Sequence, residues 1–191
     1  MTERNAPLLR QVADIIENNP DKFNQSSWGE AGLDEFTLQL PSGDTVTACG
    51  TAHCVAGFTA AISGYKPIGL KRVEYSPEVR DFVETGQIEF LWSYVSTEPV
   101  LVDSHTDLYD NYRHTLIQDV ARDLLGLKQH ESETLFDTRF MCAEACELVG
   151  VDEDDFAEGY LSSEETARTR AEQAKLIAYE LRNLANGGEL L

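Results

Sequence analysis

The chain has 191 residues, 42% of them hydrophobic and 26% charged, which fits one soluble globular domain with a sizeable core and excludes a disordered or fibrous protein. Its 15 Lys and Arg stand against 34 Asp and Glu, a net charge of −19, so a sequence-independent grip on DNA or RNA is excluded as its mode of action. The same acidity suits a protein partner, or an imitation of nucleic acid on a surface that normally holds phosphates.

In chain order, Leu8, Leu9, Val12, Ile15 and Ile16 recur at helical spacing and predict an N-terminal helix over 6–18, stopped by the Asn-Asn-Pro at 18–20. Phe23 and Trp28 follow among turn formers and are expected to dip into the core. Phe36, Leu38 and Leu40 alternate with polar neighbours, Pro-Ser-Gly-Asp supplies a turn, and 45–49 returns, which predicts a β-hairpin over about 35–49. A central helix is expected over 52–63, with Thr51 as its N-cap and Gly64 past its end. One of its stripes carries Cys54, Phe58, Ala61 and Tyr65. The opposite one, through His53, Gly57, Ala60 and Gly64, is mostly small, so another element can approach closely there.

The stretch 66–103 is the least regular. Ser76 and Pro77 suggest a short capped helix, Ile88, Phe90, Trp92 and Tyr94 alternate like a strand, and 98–104 suggests another. The rest, 106–185, reads as helical. A helix over 106–125 carries Leu108, Tyr112, Leu116, Val120 and Leu124 and ends at Gly126. Shorter helices are expected near 130–137, 138–149 and 153–158, the last capped by Asp152. A final helix opens with Ser162 and Glu165 in capping-box spacing and runs to about Ala185. The expectation is a single helix-dominated α+β domain over 1–191, with six or seven helices and a small antiparallel hairpin or sheet.

No segment has the roughly 20 apolar residues of a membrane span, and the N-terminus lacks a signal-peptide apolar core. A cytoplasmic protein that does not bind membranes is expected, with its four cysteines reduced.

The cysteines allow three readings. As a nucleophile, Cys54 would lie in the first turn of its helix, where the dipole favours a thiolate, with His105, His114 or His130 as base and Asp103 or Asp107 to orient it. That would make the protein a cysteine-dependent hydrolase or transferase. As a structural zinc site, Cys49 and Cys54 would meet Cys142 and Cys146, with His53 to spare. As packing, Cys54 joins Phe58 in the core, Cys142, Ala145, Cys146 and Val149 form a buried face, and Gly50 and Thr51 turn and cap the corner. Packing is the reading adopted, with no cofactor assigned. Asp152–Gly159 fails the calcium-loop pattern at its fifth position, Phe156, and phosphate-loop, Gly-x-Ser-x-Gly and His-Glu-x-x-His motifs are absent.

The residues Cys49, Gly50, Thr51, Cys54, Gly57 and Phe58, then Leu125, Gly126, Leu127, Leu135 and Phe136, follow a pattern C-G-T-x-x-C-x-x-G and later Leu-Gly-Leu before Leu-Phe. In this, and in its leading helix and Gln/Trp turn, the chain resembles a group of small proteins from bacteriophages and from bacteria, many of them actinobacterial. The likeness spans about half of the chain. Phe58 stands where many of the group carry Trp or His, and the middle third, with its hairpin extension and the Phe-Leu-Trp-Ser-Tyr-Val stretch, has no counterpart. The resemblance implies a phage or bacterial setting and a shared fold, and no activity. With composition it leads to the expectation of a non-enzymatic accessory protein that binds a host or self protein, in a sharper version inhibiting a nucleic-acid-binding or defence protein.

Overall fold

The computed structural model describes residues 3–25, 36–39, 45–48, 54–70, 89–98, 100–102 and 116–190. The first helix, α1 (Ala6–Asn18), begins where the Asn5 side chain accepts the Leu8 amide and Pro7 sets the first turn. It buries Leu9, Val12, Ala13, Ile15 and Ile16, stops at Asn19, and leads through a 3-10 turn (Pro20–Lys22) to the fully buried Phe23.

Strands β1 (Phe36–Gln39) and β2 (Thr45–Ala48) form the expected antiparallel hairpin, with Phe36 opposite Ala48. The next helix, α2 (Val55–Ile62), is buried from Val55 to Ala60. It ends in a Schellman turn: Gly64 takes φ +85°, the Tyr65 amide donates to the Ala60 carbonyl and the Gly64 amide to that of Ala61. Its small face is used as expected, since Ala60 packs with Val95, Ile117 and Val120.

A three-stranded sheet follows, in the order β4 (Glu89–Ser96), β3 (Lys66–Leu70), β5 (Leu101–Val102), with β3 antiparallel to β4 and parallel to β5. The central position of β3 has no forecast in the sequence pattern, because Pro67 and Gly69 interrupt it. Pro67 is accommodated where the ladder slips between Pro67 and Ile68.

The remaining helices are α3 (Ile117–Leu125), α4 (Gln129–Leu135), α5 (Cys142–Val149), α6 (Glu153–Glu158) and α7 (Ser163–Ala185). The 23 residues of α7 open with the Ser162/Glu165 capping box and lie along α1 and α5. Thr169, Gln173, Ile177, Leu181 and Leu184 form its buried stripe, which closes the main core with Leu9, Ile16, Phe23, Phe58, Leu125 and Leu135. The protein is a helix-dominated α+β domain with seven α-helices among its described residues. No helix among these residues is long and apolar enough to cross a membrane.

Three boundaries depart from the sequence expectations. The helix expected over 106–125 begins at Ile117 among the described residues, after Leu116, whose ψ of 130° is extended and which bridges Tyr94; 103–115 lies outside the described residues. The helix expected over 138–149 starts at Cys142, because the chain turns at Met141 with φ +58°. The central helix starts at Val55 rather than 52, and Cys54 is its N-cap with extended backbone. The forecasts for Trp28, the Thr51 cap, the hairpin turn and the Ser76 helix also lie outside the described residues.

Candidate functional site

Cys54 is 1% exposed and packs in the main core beside Val55 and Phe58. Burial pushes its thiol up to about 11, and backbone amides including those of Gly57 and Ala56 offset this only in part. A neutral thiol without solvent contact lacks the thiolate character a nucleophile needs. Of the histidines considered as its base, His130 is exposed on α4, whereas His105 and His114, like Asp103 and Asp107, lie outside the described residues.

Cys142 and Cys146 sit one turn apart on α5, both buried. Burial raises both thiols, that of Cys142 to about 12. Among the described residues no three His, Cys, Asp or Glu side chains are grouped to hold a metal, and Cys49, Gly50, Thr51 and His53 lie outside that set. Gly57 and Phe58 are fully enclosed in α2.

What organises the corner before α2 is Gln25, the glutamine of the Gln/Trp turn, for which the sequence offered a resemblance but no role. It is 3% exposed; its Oε1 accepts the Val55 amide at 3.4 Å, and its Nε2 donates to the carbonyls of Leu135 (2.8 Å) and Asp137 (3.0 Å). One side chain thus serves the amide end of α2 and the carbonyl end of α4, two sets of groups a helix cannot satisfy itself. The matched Leu135 and Phe136 are buried against this point.

A second polar knot joins the chain's two ends. Arg4 donates to Glu131 Oε1 at 2.6 Å and to the carbonyls of Leu184 and Gly188, while Glu131 also accepts the Lys128 amide at 2.8 Å. Burial acts to raise the Glu131 carboxyl, yet the Lys128 amide and the Arg4 guanidinium outweigh it and hold the group below the usual carboxylate range.

Two surface features remain. The first is a cleft of about 810 Å³ between α7 and the segment running from α4 into α5, with Phe140, Met141, Leu176 and Tyr179 as apolar wall and Glu133, Asp137, Arg139, Glu144 and Glu180 as charged wall. Glu180 is 1% exposed, its Oε2 meets Asn183 Nδ2 at 3.4 Å, and its Oε1 has no hydrogen-bond partner. An orphaned buried acceptor of this kind costs about 1–3 kcal/mol.

The second feature is the end of the molecule formed by α5 and α6. From Met141 to Ala167 the chain has nine Asp or Glu and no Lys, Arg or His. Asp152 caps α6 by accepting the Asp154 amide at 2.9 Å, and Glu153, Asp154 and Asp155 occupy its first turn, where the helix dipole favours them. Glu144, Glu147, Asp154, Asp155 and Glu158 are exposed, and among the described residues none is paired with Lys or Arg. Leu148, 64% exposed, and Tyr160, 73% exposed, stand among them. The acidic stretch was legible in the sequence; the exposure of Leu148 and Tyr160 was not, since either residue fits a buried face equally well.

Compared with protein-family models, curated proteins and solved structures, the chain matches none.

Proposed function

We propose that the protein is a non-enzymatic binding protein whose acidic α5–α6 end docks on a basic surface of a protein partner. The observation that supports this is the run of exposed, uncompensated acids with Leu148 and Tyr160 among them. Unpaired charge of one sign steers a partner of the other sign, and an exposed aromatic supplies the desolvated anchor that interfaces need. In the sharper version the partner is a nucleic-acid-binding or defence protein, and the acids take the place of phosphates. The proposed setting is the cytoplasm of a bacterial or phage-infected cell, and the resemblance to phage and bacterial proteins supports that choice of cell.

The rival proposal, a hydrolase or transferase built on Cys54 with His105 or His114, has the burial of its thiol against it. A structural zinc would need Cys49 and Cys54 to meet Cys142 and Cys146, and Cys54 belongs to a core cluster that includes neither of the latter two.

The immobilised protein is expected to retain a partner from bacterial lysate at low salt and release it as salt rises. Glu147→Lys, Asp155→Lys and Glu158→Lys together, which spare the Asp152 cap, should abolish retention while the far-ultraviolet circular dichroism stays unchanged. Retention of no protein at any salt concentration, or equal retention by the triple variant, would count against the proposal.

A further inference from the structure

We infer that the cleft between α7 and the α4–α5 segment binds a small organic cation, a guanidinium or ammonium on a short apolar stem, with Glu180 as its counter-ion. The inference does not depend on the protein-binding reading above.

An ionised carboxylate only accepts hydrogen bonds, and among the described residues Glu180 receives just one long contact, from Asn183 to Oε2, while Oε1 has none. A native fold that keeps such a group needs a reason, and a missing ligand donor is one. The cleft supplies the rest. Its volume of about 810 Å³ lies in the small-molecule class. Among the described residues Glu133, Asp137 and Glu144 share its wall with a single fixed cation, Arg139, so its charge favours a cation and disfavours an anion. Leu176 and Tyr179 offer an apolar wall for the stem, and Tyr179, 64% exposed, can present the face of its ring to a cation. Oε1 itself exposes less than 1 Å², so the ligand meets it once the carboxylate swings towards the opening.

Calorimetric titration of the full chain with n-butylguanidinium, and with n-butanol as the neutral ligand of the same stem, tests this. Saturable binding of the cation alone is expected. Glu180→Gln should weaken it roughly 10- to 100-fold, the worth of a hydrogen bond to a charged group. Tyr179→Ala, at an exposed position that folding does not need, should weaken it severalfold and keeps the test intact if Glu180→Gln fails to fold. A Gly-Arg-Gly peptide distinguishes the source: tighter binding of the peptide points to a partner's arginine, tighter binding of n-butylguanidinium to a free metabolite. No saturable binding of either cation, as expected if the cleft holds only water, would overturn the inference, as would equal binding of n-butanol or unchanged binding in both variants.

Discussion

Gly126→Ala is expected to destabilise the protein by about 3 kcal/mol, the sum of left-handed backbone strain and overpacking. At this size that lowers the melting temperature by roughly 6–12 °C. Gly126 ends α3 with φ +68°, and a Cβ there would lie 2.3 Å from the Glu3 carbonyl oxygen and 3.0 Å from Arg4 Cα. The N-terminal segment cannot easily retreat, because the Asn5 amide donates to the Leu125 carbonyl at 2.9 Å and its Nδ2 to that of Leu124 at 3.1 Å. Gly150→Ala is the control: φ is +81° and nothing lies within 4 Å of the added methyl. It should cost about 1 kcal/mol, backbone strain alone. Thermal denaturation of both variants checks the difference; equal costs would mean that the approach of the N-terminus is not tight.

Arg4→Ala should cost about 3 kcal/mol at neutral pH, because it strands Glu131, whose side chain is 5% exposed, as a buried charge. Lys128 Nζ at 3.8 Å is a more solvated substitute and recovers only part of this. The pH dependence gives the sharper readout. The folded Glu131 carboxyl lies below its ordinary value of 4.5, so it binds its proton less readily than in the unfolded chain. Its stabilising contribution is therefore fully present above the unfolded value and is lost as pH falls through the folded one. Denaturant titrations from neutral pH to below pH 4 should show the wild type losing stability in that window more steeply than Arg4→Ala. Parallel curves would show that Arg4 does not depress the Glu131 carboxyl.

Where local chemistry decides an element, the sequence was readable. Ser162 and Glu165 sit in capping-box spacing and α7 begins there; Asp152 caps α6; Asn19 and Pro20 end α1; alternating residues give β1, β2 and β4. Where distant partners decide, it was not. The start of α2 is set by Gln25 reaching across from residue 25, the extended Leu116 before α3 by a bridge to Tyr94, and β3 by neighbours that tolerate Pro67 and Gly69.

The candidate sites divide in the same way. Cys54 of the motif is buried, as are Cys142 and Cys146 on α5. The Leu-Gly-Leu segment has a specific physical use at Gly126. The cleft was invisible beforehand because Glu180 lies on the long helix among Lys, Arg and Glu that read as solvated surface. Only the packing of α7 against α1 and α5 takes its carboxylate out of water.

The central claim, recognition through the acidic end, is tested most directly by hydrogen exchange on the captured complex. Slowed exchange over 142–160, lost together with the complex on adding salt, is the expected result. A complex in which those amides exchange as in the free protein, with protection confined to other segments, would contradict the account.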